Sequence, residues 1–273
     1  MPRADCHAHI IDPTHFPYTV GPGYKPRPDE VGDRQAFGDT LAAHGVTHAL
    51  LVQPSCYGTD NAAMLDAMRA SRGRIKGIAV LRPDLADAEL TRLATAGVVG
   101  IRLNLMRTDP DALTRPATHT FLKRVKALGW VVQVYATGDA WADIETPLRR
   151  CGVRVVIDHF GDPDLTRGID QPGFQTVLRL GRDTDAVVKL SAAYRPSRHP
   201  FPHEDVEPFV AAAVAAFGVD RCVWGSDWPF INTQQHVEYG PSLTLLDRWL
   251  SSPADRERVL WATPARVFGF VVA

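Results

Sequence analysis

The sequence predicts a single-domain (β/α)8 barrel of the α/β class, and three observations carry this prediction. Short runs rich in β-branched residues recur eight times, and helical segments lie between them. Such alternation indicates a parallel sheet, and eight repeats within 273 residues suit a closed barrel better than an open doubly wound sheet. No run is followed by a G-x-G-x-x-G loop, which removes the main dinucleotide-binding alternative.

The predicted elements follow one another along the whole chain. Each strand is a short apolar run bounded by polar residues, glycine or proline, and the eight are residues 5–10, 48–53, 75–81, 99–105, 131–135, 153–159, 186–191 and 221–226. Helical composition is clearest in residues 61–71, 118–128 and 206–217. No linker divides the chain, so one domain is expected over residues 1–273. The proline-rich stretch at about 12–34 is predicted to form a loop over the barrel mouth.

Composition excludes several classes of partner. The net charge of -1 gives no electrostatic case for nucleic acid or an anionic membrane. No apolar run approaches the roughly 18 residues of a membrane span, and no secretion signal opens the chain. The 4 cysteines are scattered without a C-x-x-C pair, which argues against disulfides and a structural zinc cluster. A cytoplasmic protein with reduced thiols and a small-molecule partner is therefore expected.

Two histidines near the start of the chain are the first candidate site residues. His7 and His9 lie two residues apart in the first predicted strand, and alternation of side chains would point both to one face. Asp5 is predicted to share that face. Imidazole is the commonest metal ligand, and it can also polarise a carbonyl oxygen. A surface or packing role is the ordinary alternative for an isolated H-x-H.

Other strand ends add to this pair, because the chemistry of such barrels lies at the C-terminal ends of the strands. The sixth predicted strand ends at His159, and Asp227 follows the eighth. Alone, His159 could be a satisfied strand-end histidine and Asp227 a turn cap. Together with His7 and His9 they predict one site of three imidazoles and a carboxylate.

Several motifs carry a resemblance that covers essentially the whole chain. They are DCHAH at 5–9, QPSCYGTDN at 53–61, GIRLN at 100–104, DHFG at 158–161, KLS at 189–191 and WGSDWP at 224–229. With these motifs the chain resembles the amidohydrolase superfamily, in the branch of 2-pyrone-4,6-dicarboxylate lactonase and sugar-acid lactonases. The fifth strand, residues 131–135, lacks the lysine or histidine that metal-rich relatives place there. A bridged two-metal centre is therefore not expected.

The resemblance implies hydrolysis of a small carboxylated lactone in aromatic or sugar-acid catabolism. Asp227 would activate water as the general base, and His7, His9 and His159 would surround the carbonyl oxygen without a metal. The rival assignment makes the same four residues ligands of one divalent cation such as zinc, which would lower the pKa of a bound water towards about 7. The fifth strand favours the version that requires no cofactor.

Arginines are the candidates for binding a substrate carboxylate, because a guanidinium holds it through two parallel hydrogen bonds. Arg102 at the end of the fourth strand is the strongest, and Arg195 and Arg107 follow. The resemblance adds Ser55, Tyr135 and Tyr24 as substrate contacts. The ordinary alternative for Arg102 is a structural salt bridge, and for Arg195 and Arg107 it is a solvated charge on a loop. For the other three residues it is a role in a turn or in core packing.

One departure from the similar lactonase limits the substrate. Asp162 stands three residues after His159, where that lactonase carries an arginine. A carboxylate there would repel a second substrate carboxylate, which favours a mono-acid lactone or an aldonolactone. Two alternatives stay open at this stage: a zinc-dependent decarboxylase on the same barrel, and a non-catalytic barrel that binds a sugar acid.

Overall fold

The computed structural model describes residues 1–19, 25–106 and 113–272. Eight parallel strands form one sheet in the order β1 to β8, namely Ala4–Ala8, His48–Val52, Ile75–Ala79, Val98–Asn104, Val131–Tyr135, Val155–Ile157, Val187–Ser191 and Cys222–Gly225. A parallel bridge between Ala8 and Trp228 joins the last strand to the first. The sheet therefore closes on itself, and the predicted single-domain (β/α)8 barrel is confirmed.

The helices lie between successive strands and after β8. Their bounds, α1 to α10, are Arg34–Ala43, Ala62–Ala70, Asp87–Thr95, Pro116–Ala127, Ala140–Cys151, Pro172–Asp183, Glu207–Phe217, Tyr239–Trp249, Pro253–Glu257 and Thr263–Phe268. None of the helices in the described ranges is long and apolar enough to cross a membrane. The three helical segments predicted from composition match α2, α4 and α7.

Two apolar layers hold the barrel together. Alternate strand residues such as Cys6, Leu50, Val131 and Val223 fill the interior, and Phe268 packs with them. The opposite strand faces pack against the surrounding helices in a second, larger cluster. Because apolar side chains occupy this part of the interior, the buried polar residues stand out as a separate group at the other end of the strands.

Six of the eight predicted strands end one or two residues earlier than expected, and two of these, the sixth and the first, matter for the site. The sixth ends at Ile157, and Asp158–Gly161 forms a 3-10 turn in which His159 has φ 49°. Consecutive strand residues would point to opposite faces, whereas this left-handed turn brings both Asp158 and His159 to the barrel centre. The first strand ends at Ala8, although His9 still bonds to Trp228 through its backbone N–H.

The described parts of the predicted mouth loop contact loops at the C-terminal ends of the strands. The Tyr57 hydroxyl, which follows β2, bonds to the Asp12 backbone N–H, and the Glu30 carboxylate accepts from the backbone N–H of Asn232, which follows β8. These contacts attach both flanks to the side of the barrel where the polar residues lie. A lid role for residues 12–34 stays a prediction.

Candidate active site

An irregularity in β1 decides which of its side chains reach the site. The pairing register with β2 shifts between Asp5 and Ala8, so Cys6 packs inside the barrel and the next residue, His7, also faces its centre. Gly225 on β8 allows this close approach, because a Cβ there would lie 2.5 Å from the His7 Cβ.

The prediction that Asp5 shares the face of His7 is wrong. Its carboxylate points away from the site and accepts hydrogen bonds from the Ser226 hydroxyl, at 2.6 Å, and from the Tyr239 hydroxyl on α8, at 3.0 Å. Regular alternation would have kept the two side chains together, and the shifted register separates them. Asp5 instead ties the end of β1 to the residue that precedes Asp227.

Asp227 lies fully buried at the centre of the polar group. Its Oδ2 accepts from the Tyr194 hydroxyl and from Nε of Arg195, both at 2.7 Å, and lies 2.6 Å from Nη2 of Arg195 in an ion pair. Its Oδ1 lies 3.6 Å from Nε2 of His7 and 3.4 Å from Nε2 of His9, and it has no hydrogen-bond partner among the described side chains. Burial opposes ionisation, but Arg195 and the histidines hold the pKa of Asp227 well below its usual range.

The other two histidines are fixed through their Nδ1 atoms. Nδ1 of His9 lies 2.7 Å from the Val52 carbonyl oxygen, which can only accept, so this nitrogen carries the hydrogen. Nδ1 of His159 lies 2.8 Å from the Ser191 hydroxyl. Burial lowers the pKa of His159 to about 4, so its ring is neutral at physiological pH. The structure thus brings all four predicted catalytic residues together.

A charged layer lies directly beneath these residues. Asp158 is fully buried, and its Oδ2 accepts from Nε2 of Gln133 at 3.0 Å and lies 3.4 Å from Nη2 of Arg102. Lys189 on β7 contacts the other oxygen at 3.4 Å and also reaches Nδ1 of His7, at 3.1 Å. Lys189 and its neighbours hold the pKa of Asp158 well below its usual range, although burial opposes this.

The predicted substrate-binding residues are placed as follows. Arg102 is buried beside the Tyr135 ring, with its guanidinium carbon 5.6 Å from the ring centre. The Tyr135 hydroxyl donates to Asp162 at 2.8 Å, and Ser55 accepts from the Asn104 amide at 3.0 Å. Arg195 forms an ion pair with Asp227, so a substrate that binds its guanidinium would share it with that carboxylate.

Arg107 and Tyr24, the other two predicted contacts, lie outside the described residues. Asp162, named from the sequence as a departure, does lie beside the site, since its partner Tyr135 packs edge-on against His159 at 5.5 Å between ring centres.

Four residues of the site were missed by the sequence reasoning: Asp158, Lys189, Gln133 and Tyr194. Lys189 and Gln133 could have been found, because each is a charged or amide side chain in the middle of an otherwise apolar buried strand, VVKLS and VVQVY. Such residues are costly to bury unless they are paired, so they mark a polar interior. Tyr194 gave no comparable signal.

A cation could be reached by three of the residues, since single ligand atoms of His7, His159 and Asp227 all lie within 4.8 Å of one another. The surrounding charge does not fit a dication well. A metal-bound histidine usually donates its other N–H to an acceptor, as His9 does to Val52, whereas Nδ1 of His7 lies 3.1 Å from the Lys189 ammonium, which competes for it with Oδ1 of Asp158 at 3.2 Å. Arg195 places a second fixed cation on Asp227.

Fold and site together define a hydrolase-type barrel with its chemistry at the strand ends, and the family comparison agrees. The chain belongs to the amidohydrolase family whose model matches residues 4–270.

Individual relatives resemble the chain over most of its length. A 2-pyrone-4,6-dicarboxylate hydrolase from Comamonas testosteroni is 32% identical over 85% of this chain and 78% of its own. A 4-sulfomuconolactone hydrolase from Hydrogenophaga intermedia is 30% identical over 98% of this chain and 88% of its own. The crystal structure of a probable 2-pyrone-4,6-dicarboxylic acid hydrolase from Acinetobacter baumannii, with citric acid bound, superimposes with a TM-score of 0.89 at 32% identity, covering 99% of this chain and 100% of that one.

Proposed function

We propose that this protein is an enzyme that opens a small carboxylated lactone by hydrolysis, with Asp227 as the general base. Two similar proteins are lactone hydrolases by name, and the chain shares their family. The observation that carries the proposal is the asymmetry of Asp227. One oxygen is held by Tyr194 and Arg195, while the other faces the histidines without a hydrogen-bond partner among the described residues.

That asymmetry suits a base that holds a water molecule. The Tyr194 and Arg195 hydrogen bonds fix the orientation of the carboxylate and keep it ionised, so Oδ1 can accept a hydrogen from water. The water oxygen attacks the lactone carbonyl carbon while its proton passes to Asp227. The tetrahedral intermediate then collapses with cleavage of the ring C–O bond, and Asp227 returns the proton to the leaving oxygen.

The histidines line the place of the carbonyl oxygen, and a ring whose hydrogen is on Nε2 can stabilise it, which neutral His9, with its hydrogen on Nδ1, cannot. The rings of His7 and His159 lie 4.6 Å apart and those of His7 and His9 lie 5.0 Å apart, so the three line one side of the space in front of Asp227. An N–H aimed at an oxyanion in a dry site is worth more than the same contact in water. Histidines in this role require no metal, and we propose that the reaction proceeds without one.

Arg102 is the best-supported contact for a substrate carboxylate. Its guanidinium is buried, yet its own contacts are long: 3.4 Å to Asp158 and 3.5 Å to the Gln53 carbonyl oxygen. Its Nε has no hydrogen-bond partner among the described residues. A buried N–H without a partner is costly, so a substrate anion that accepts from Arg102 would relieve that cost.

Asp162 limits how much negative charge the substrate carries. Burial raises the pKa of this carboxyl, and Tyr135 donates a hydrogen bond to it. A second substrate carboxylate beside Asp162 would be repelled, whereas a hydroxyl could donate to it. A mono-acid lactone or an aldonolactone therefore fits the site better than a dicarboxylate.

The four cysteines are free and buried, which suits the reducing cytoplasm in which we place the enzyme.

The test is a panel of pyrone, muconate and sugar lactones, each assayed by the proton released on ring opening. We expect turnover of at least one carboxylated lactone and none of its open-chain amide. Release of carbon dioxide from an aromatic acid, without lactone hydrolysis, would instead indicate a decarboxylase. Binding of a sugar acid with no turnover of any lactone would indicate a non-catalytic barrel.

A further inference from the structure

Lys189 is a fully buried ammonium at the centre of the barrel that the proposed mechanism does not use. Its Nζ lies 2.6 Å from Oε1 of Gln133, 3.1 Å from Nδ1 of His7 and 3.4 Å from Oδ1 of Asp158. An ammonium group can donate three hydrogen bonds and can accept none. Gln133 and His7 thus accept two of these hydrogens, and Oδ1 of Asp158, which has no hydrogen-bond partner among the described residues, lies at ion-pair distance.

The orientation of Gln133 agrees with a charged lysine. Its Nε2 donates to Oδ2 of Asp158 at 3.0 Å, which turns its amide oxygen towards Lys189. Burial lowers the pKa of Lys189, but the neighbouring Asp158 carboxylate opposes that change. The lysine and the aspartate thus form a buried pair with the amide as a third member.

We propose that Lys189 is a positioning residue that keeps the single hydrogen of the His7 ring on Nε2, where it faces the substrate carbonyl oxygen. The position of the hydrogen follows from the contacts of His7 alone, whereas its effect on the reaction rests on the proposed lactone hydrolysis. Nδ1 of His7 accepts from Lys189, so a neutral ring must carry its hydrogen on Nε2. Burial, followed by the charge of Lys189, lowers the pKa of His7 well below its usual value, which keeps the ring neutral.

The unpaired atoms of the site agree with this assignment. Nε2 of His7 has no hydrogen-bond partner among the described residues, and it lies 3.6 Å from Oδ1 of Asp227. An N–H that has no partner in the free enzyme can donate a hydrogen bond to the oxyanion, which exists only during the reaction. His9 has the opposite arrangement, with its hydrogen on Nδ1 and bonded to the Val52 carbonyl.

Asp158 is the group that would change the position of the His7 hydrogen if Lys189 were absent. Its Oδ1 lies 3.2 Å from Nδ1 of His7, so it could accept a hydrogen from that nitrogen. With Lys189 in place, the ammonium supplies the hydrogen between these groups. Without the ammonium, the ring gains most by moving its hydrogen to Nδ1 and donating to Asp158, which leaves Nε2 with a lone pair in place of the N–H.

The experiment is nitrogen-15 NMR of the full chain with labelled histidine, because the two ring nitrogens give separate signals when protonated and unprotonated. The signals of His7 are identified among the 10 histidines from a His7→Gln spectrum. We expect the wild type to carry the hydrogen on Nε2 and Lys189→Met to carry it on Nδ1. Lys76→Met, a half-buried lysine on β3 at the other end of the barrel, is the matched control and should match the wild type.

Kinetics give the second measurement. Loss of one oxyanion donor should lower kcat of Lys189→Met by about 100-fold to 1000-fold with little change in KM, because the contact strengthens only in the transition state. A wild-type hydrogen on Nδ1, or an unchanged tautomer in a folded Lys189→Met, would overturn the inference.

If Lys189→Met does not fold, the wild-type spectrum still decides, together with Asp158→Asn, which keeps the Lys189 side chain as a donor to Nδ1 of His7 and should keep the hydrogen on Nε2. A shift of the hydrogen to Nδ1 in Asp158→Asn would contradict control by Lys189. The spectra need no substrate, so an enzyme that opens no lactone would refute the proposed function without altering this result.

Discussion

Replacement of Arg102 by methionine tests whether this buried guanidinium binds a substrate carboxylate. Methionine keeps much of the side-chain volume and removes the charge. Among the described residues, Arg102 makes two long hydrogen bonds, of 3.4 and 3.5 Å, beside its contact with the Tyr135 ring, and Asp158 retains Lys189 as a cation partner. Most of what the variant loses should therefore be its contact with the substrate.

The expected size follows from breaking a buried charge pair on one side. Such a loss is about 2–5 kcal/mol, which corresponds to a fall in kcat/KM of about 30-fold to about 5000-fold for the acid substrate. For the neutral methyl ester or amide of the same lactone the fall should stay below about tenfold, because no anion needs compensation. Ring opening is followed by proton release in a weakly buffered indicator solution.

Arg154→Met is the matched control, since Arg154 pairs with Asp185 in an exposed ion pair away from the site. It should leave both rates near the wild-type values. Equal losses on the acid and the neutral substrate in Arg102→Met would refute the reasoning and show that Arg102 braces the barrel.

Three further predictions follow from the same site. Asp162→Arg should raise the ratio of activity on pyrone-4,6-dicarboxylate to activity on a mono-acid lactone, and an unchanged ratio would place Asp162 outside the pocket. Exhaustive chelation should leave lactone hydrolysis largely intact, whereas activity that returns only with added zinc would identify the histidines as ligands. His159 gains a proton only near its lowered pKa of about 4, and Asp227 stays ionised at still lower pH. We therefore expect kcat/KM to be level from about pH 8 to about pH 5 and to fall towards pH 4. A fall centred near pH 6.5 would contradict these assignments.

The barrel and its reactive strand ends could be predicted from the sequence because both depend on short-range patterns. Apolar runs of five to seven residues mark the strands, and polar residues at their ends mark the face where chemistry occurs. His7, His9, His159 and Asp227 belong to three such strand ends, and the structure brings them to one centre.

The sequence could not predict features that depend on local irregularity or on distant pairing. The register shift in β1 sends Asp5 away from the site, and nothing in a pattern of period two indicates it. Lys189 and His7 are 182 residues apart, so their contact arises only when the barrel closes. The pairing of Arg195 with Asp227 likewise required the structure, and it gives a predicted substrate contact a second partner in the proposed base.

The most direct test of the central claim is the hydrolysis rate of Asp227→Asn on the best lactone, measured on protein whose metal content has been determined and reduced by chelation. The amide keeps the shape of the side chain but cannot take a proton from water, so kcat should fall at least about 100-fold while the circular dichroism spectrum is unchanged. The metal-depleted wild type should retain its rate. Turnover by Asp227→Asn close to that of the wild type would contradict the account, because a water activated by Asp227 could not then be the nucleophile.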